Sequence, residues 1–89
     1  MSKTLKAFAD PTGLAILMWL AHNPASVTEI ARQFKLSQPT VSAHVQLLRE
    51  VGVIEDRPAG RSSLLSVREQ SVREIMGRAE EALLKEFRH

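Results

Sequence analysis

The chain is 89 residues long, which bounds it to one small domain, residues 1–89, burying only about 60–65% of its unfolded surface and gaining from pairing with a second copy. With no cysteine and a formal net charge of +2, it has no disulfide framework, no thiolate for catalysis or soft metals, and a balance that permits a nucleic-acid partner without demanding one. No stretch nears the roughly 18 apolar residues of a membrane span, and the apolar run within Met1–Asp10 is too brief for a signal peptide, so a cytoplasmic protein is expected.

Leu5, Phe8 and Ala9 fall at helical spacing in Ser2–Ala9, a short first helix that Asp10-Pro11 ends. Asp10 then caps a second helix, with Pro11 at its first position, where the missing N–H costs nothing. That helix carries Leu14, Ile16, Leu17, Trp19 and Leu20 and stops near His22-Asn23-Pro24. Ser26-Val27-Thr28-Glu29 is a capping box that opens a third helix over Val27–Phe34. Ser37 caps a fourth, in which Pro39 sits in the tolerant first turn and Val41, Val45 and Leu48 repeat until Gly52 supplies a left-handed stop. Only Lys35-Leu36-Ser37 separates helices three and four, the short corner of a helix-turn-helix.

After Gly52 the period changes to two. Val53–Arg57 and Ser62–Val67 read as strands around a Pro58-Ala59-Gly60-Arg61 turn, a β-hairpin. A helix-turn-helix followed directly by a hairpin is a winged helix, so the expected class is mainly α with a small β-hairpin (α+β): five helices and a two-stranded wing. Ser71-Val72-Arg73-Glu74 offers a second capping box for a last helix that starts there or nearer Glu69, with Val72, Ile75, Met76, Ala79, Leu83 and Phe87 on one stripe.

Most of these residues have ordinary structural roles. Trp19 and Phe34 belong to the core by spacing, Met18 faces away from Leu14 and Leu17, and the mixed charges of the last helix suit a solvated face. His22 is placed to complement a helix C-terminus, and His44 to pack beside Val41 and Val45. The stripe of Met76, Ala79, Leu83 and Phe87 is different, since it extends past what so small a core can cover and points to a dimer interface.

Phe8-Ala9-Asp10-Pro11-Thr12, Val27-Thr28-Glu29-Ile30-Ala31, Leu36 through Val45, Leu47-Leu48-Arg49-Glu50-Val51-Gly52-Val53-Ile54 and Gly60-Arg61 together resemble the ArsR/SmtB family of winged helix repressors. The resemblance covers nearly the whole chain in order. It implies a homodimer paired through the first and last helices, which adds Leu5 and Phe8 to the interface, with helix four in the DNA major groove and the wing beside the backbone. Two departures matter. Many members have arginine where Gly13 stands, and a helical glycine costs roughly 1 kcal/mol relative to alanine. The family's thiolate metal site falls on Ser26 and Thr28, poor ligands for soft metals, and the last helix lacks the histidine and aspartate of the second family site. No metal site or cofactor is therefore expected, and any effector is a non-metal one.

Opposite the buried Val41, Val45 and Leu48 face lie Gln38, Pro39, Ser42, Ala43 and Gln46, small and amide side chains suited to base edges. Ser37 and Thr40, in the first turn, suit phosphate contacts, and Arg57 and Arg61 flank the wing tip. The expected function is a sequence-specific DNA-binding regulator, a repressor that binds an inverted-repeat operator in double-stranded DNA. The rival is a winged helix used for protein contact, because a fold does not fix a function. No catalytic residue is assigned, since no carboxylate pair, glycine-rich phosphate loop or Ser-His-Asp arrangement is defensible.

Overall fold

The computed structural model describes residues 3–88. Ser2 and His89 lie outside the described residues, as do the side chains of residues 3–5, Leu5 among them. Within that range the chain runs α1 (Lys3–Ala9), α2 (Pro11–His22), α3 (Val27–Phe34), α4 (Gln38–Glu50), β1 (Ile54–Ala59), β2 (Ser62–Val67) and α5 (Glu69–Glu86).

The helix starts follow the capping chemistry of the sequence. The Asp10 carboxylate accepts the N–H groups of Thr12 (2.9 Å) and Gly13 (3.2 Å) at the head of α2. Ser26 and Glu29 form the reciprocal box, Ser26 Oγ accepting from the Glu29 N–H and Glu29 Oε1 from the Ser26 N–H. Ser37 Oγ accepts the Thr40 N–H at the head of α4.

The helix ends are equally determined. Gly52, at φ +80°, closes α4 in a Schellman motif: its N–H meets the Arg49 carbonyl, and the Val53 N–H meets that of Leu48. Val53 and Leu48 are both buried, which supplies the hydrophobic contact of that motif. Lys35 turns the corner between α3 and α4 with φ 55°, a left-handed conformation unusual for a residue with a Cβ, and the Leu36 N–H reaches back to the Ala31 carbonyl.

One core follows from these placements. Ile16, Leu17 and Leu20 of α2 meet Ile30 of α3, Val41, Val45 and Leu48 of α4, and Val53, Ile54 and Leu65 at the base of the hairpin. Truncating one of the larger side chains here costs about 2–5 kcal/mol. Trp19 and Phe34 pack edge to face at its margin, ring centroids 6.0 Å apart. Backbone hydrogen bonds join the wing to this body. Ala25, ahead of α3, exchanges both with Leu65 of β2 (3.1 and 2.8 Å), and the Arg68 N–H donates to the Val53 carbonyl.

Two local expectations change. The turn expected over Pro58–Arg61 is tighter: β1 continues through Pro58 and Ala59, paired with Ser63 and Ser62, and only Gly60 and Arg61 remain in the loop. Gly60 has φ +65° and Arg61 does not have a positive φ, which matches a type II′ turn with glycine at its first central position. Pro58 is tolerated because the pair next but one to such a turn does not exchange backbone hydrogen bonds, so no ladder donor is lost. The Ser71–Glu74 capping box is not used. Helix α5 begins at Glu69 after Arg68, which gives it no side-chain cap, and Glu74 instead accepts from the Gln70 amide.

Helix α5 spans about 27 Å at 1.5 Å per residue and accounts for the elongated outline of 53 × 24 × 19 Å. Val72 and Ile75 reach the core, but no residue of α5 is fully buried.

Candidate nucleic-acid interface

Helix α4 is held by its apolar side and offers the rest to solvent. Val41, Val45 and Leu48 are buried, whereas Gln38, Pro39, Thr40, Ser42, Ala43 and Gln46 are all exposed. Gln38, Ser42 and Gln46 succeed one another at four-residue intervals and so form a line along the helix. None of the six carries a charge, which leaves a surface of hydroxyls, amides and small apolar groups able to follow base edges closely.

The first turn of α4 is ordered from within. Ser37 Oγ accepts from the Thr40 N–H and donates to Thr40 Oγ1 at 2.8 Å, so the two hydroxyls stand together at the helix start. There the positive end of the helix dipole favours an anion. Ser37 thus serves as a cap as well as a candidate phosphate contact.

At the other end, Gln46 is not an isolated reader. Arg49 Nη1 donates to Gln46 Oε1 (3.2 Å), and Gln46 Nε2 donates to Glu50 Oε1 (3.4 Å). Arg49 Nη2 also meets Asp56 Oδ1 of β1 at 3.2 Å, bridging α4 to the wing. The sequence pattern assigned no role to either Arg49 or Asp56. The signal was present in part, since Arg49 stands three residues beyond Gln46 on the same line, but its partner lies across the Gly52 turn.

In the wing, Arg57 of β1 and Arg61 of the turn are exposed. The Ser62 hydroxyl donates to the Ala59 carbonyl at 3.2 Å and tightens the tip. At the wing base Arg68 Nε lies 3.7 Å from Glu55 Oε2, on the face of the hairpin opposite Asp56.

His44 packs as expected on the side of α4 that faces α1 and α2, its side chain 19% exposed. Its Nδ1 lies 3.7 Å from Asp10 Oδ2, an ion-pair separation too long for a hydrogen bond. It also lies 3.4 Å from where a Cβ on Gly13 would stand, which gives the glycine a physical context: a long side chain there would displace the imidazole. His22 is exposed at the end of α2, where Asn23 Nδ2 donates to the Trp19 carbonyl.

The stripe on α5 lies open. Phe87 is 83% exposed, Leu83 63%, Met76 54% and Leu84 47%, and Met76, Ala79, Leu83 and Leu84 line an apolar hollow of about 410 Å³ with Glu80. Leu84 was not on the expected stripe and widens it. Phe8 of α1 is half-buried against the core, so only part of its ring is available to a partner. Among the described residues no three or more His, Asp or Glu side chains gather as a metal site, and no helix is long and apolar enough to cross a membrane.

A helix with an uncharged exposed line of Gln38, Ser42 and Gln46, set behind a three-residue corner and followed by a hairpin with one arginine in its first strand and another in its turn, defines a winged helix-turn-helix protein. The chain belongs to the arsR family of bacterial regulatory proteins, whose model matches residues 10–56. It is 46% identical over 55 residues to the HTH-type transcriptional regulator Rv2034 of Mycobacterium tuberculosis, a match covering 62% of this chain and 51% of that one. The chain thus spans about half the length of that relative. It is 34% identical over 61 residues to the transcriptional repressor SdpR of Bacillus subtilis, covering 68% of each. Among solved structures, the homodimeric winged helix-turn-helix DNA-binding domain of Mb0332 from Mycobacterium bovis superposes with a TM-score of 0.71 at 28% identity, over 90% of this chain and 75% of that one.

Proposed function

We propose that residues 1–89 act as one DNA-binding domain and that the chain is a cytoplasmic transcriptional repressor that binds an inverted-repeat operator as a homodimer. The observation that carries the reading is the exposed, uncharged line of Gln38, Ser42 and Gln46 on a helix buried on its opposite side, with the arginines of the wing alongside. Such a helix enters a major groove, where Gln pairs bidentately with adenine and Ser bonds either base edge. Pro39 and Ala43 supply close apolar approach, Ser37 and Thr40 meet phosphate, and Arg57 and Arg61 reach the backbone or the adjacent minor groove.

The dimer supports that reading through α5. An 18-residue helix that projects with its apolar side chains uncovered is marginal alone in water, and a two-fold contact through Met76, Ala79, Leu83 and Phe87 covers them. The M. bovis relative is homodimeric and is described as a DNA-binding domain, and the B. subtilis relative is a repressor. No metal, cofactor or catalytic residue enters this function.

The test is selection from a random duplex pool followed by fluorescence polarisation on the selected and on random DNA. An enriched two-fold symmetric motif, bound as two chains per duplex, is the expected result. Binding that does not discriminate between the two DNAs would transfer the exposed face of α4 to a protein partner.

A further inference from the structure

The guanidinium of Arg49 occupies an unusual place for a cation in a DNA-binding helix. It continues the Gln38, Ser42, Gln46 line by one more turn, yet its tip is already engaged, by Gln46 through Nη1 and by Asp56 through Nη2. Both partners of the ion pair are open to water, the Arg49 side chain 40% and that of Asp56 53% exposed. An ion pair so placed is weak, and the fork that fits a carboxylate fits a phosphate equally well. DNA offers phosphates at high density along this same edge if α4 lies in the groove.

We infer that Asp56 competes with DNA phosphate for Arg49. The carboxylate on β1 holds the guanidinium along the rim of α4 and keeps it from grasping the backbone of any duplex the protein meets. Through Nη1 the same arginine fixes the direction of the Gln46 carbonyl oxygen, leaving that oxygen's second lone pair for a base amino group. Non-specific affinity is thereby restrained while one base reader is oriented, so Asp56 and Arg49 act as positioning and specificity-determining residues. This rests on the DNA-binding reading above.

The experiment is a salt titration of binding to a random duplex and to the duplex the parent chain selects. Asp56→Asn should tighten random-DNA binding several-fold at low salt and steepen the salt slope by about 0.9 per subunit, with a smaller gain on selected DNA. Asp56→Ser serves as a second variant because it removes the carboxamide acceptor too. Adding Arg49→Gln should cancel the gain, and Glu55→Gln, which removes the same charge from the opposite face of the hairpin, should leave random-DNA binding near the parent's. A gain that persists in the double variant, an equal gain from Glu55→Gln, or no gain from either Asp56 variant overturns the inference while leaving DNA binding intact. A parent chain that binds no duplex at all overturns the underlying reading and this inference with it.

Discussion

The carboxylate of Asp10 serves His44 as well as its own helix: Oδ1 accepts the first N–H groups of α2, while Oδ2 stands 3.7 Å from the His44 Nδ1 on α4. One side chain thus closes a helix end and links that end to the helix with the exposed polar line. Asp10→Ala should destabilise the protein by about 1 kcal/mol, the usual loss of a cap, whereas Asp10→Asn should stay within a few tenths of the parent. Urea unfolding at one fixed protein concentration measures both, since dimer stability depends on concentration. If Asn proves as damaging as Ala, the contact with His44 outweighs the cap.

Gly13 is buried in α2 beneath the same imidazole, and a Cβ built there lies 3.4 Å from His44 Nδ1 and 3.7 Å from the Ala7 carbonyl oxygen. These are ordinary contact distances. Gly13→Ala should therefore gain about 0.5–1 kcal/mol from helix propensity, a rise in Tm of roughly 2–8 °C for a domain of this size. Gly13→Leu should lose stability, because its further carbons must push His44 aside. A thermal melt in which Ala destabilises the chain would show that the helices around Gly13 cannot yield even a few tenths of an ångström.

Charging the open stripe of α5 tests how the copies pair. Leu83→Glu combined with Phe87→Glu should give a monomer in light scattering, since like charges would face each other across a desolvated two-fold contact. Both positions are exposed in the single chain, at 63% and 83%, so the core itself is not attacked. A dimer that survives the double change places the interface elsewhere.

Loss of groove contacts and of phosphate contacts should differ in kind. Gln38→Ala and Ser42→Ala should each cost about 1–3 kcal/mol on a selected operator and little on random DNA. Arg61→Ala should weaken both DNAs alike and lower the salt slope by about one unit per subunit. Salt titrations of the three variants on the two duplexes separate these patterns. Groove variants that leave discrimination unchanged, in a folded dimer, would remove α4 from the major groove.

Local signals made most of this fold readable before any coordinates. Capping needs only residues two or three apart, so Asp10, Ser26 with Glu29, and Ser37 marked the starts of α2, α3 and α4, and Gly52 marked the end of α4. Where two local signals competed, the larger structure decided. Proline and glycine together suggested a four-residue loop, but strand pairing extended through Pro58 because its missing donor faces away from β2. Ser71 and Glu74 matched a capping box, yet α5 had already begun at Glu69, directly after the wing. Two contacts between elements could not be read from the pattern. Arg49 with Asp56, and Gly13 under His44, join residues that helical or strand periodicity never relates.

The paired hydrogen bonds between Ala25 and Leu65, with that from Arg68 to Val53, tie the base of the hairpin to the helical body. On the proposed reading, the base of the wing and helix α4 move together, so the distance from Ser42 to the root of the wing should vary little between protomers. If the copies pair through α5 as proposed, tolerance of spacer length would come from the angle between them, and a change to that helix should alter which spacer lengths are accepted without altering the half-site itself.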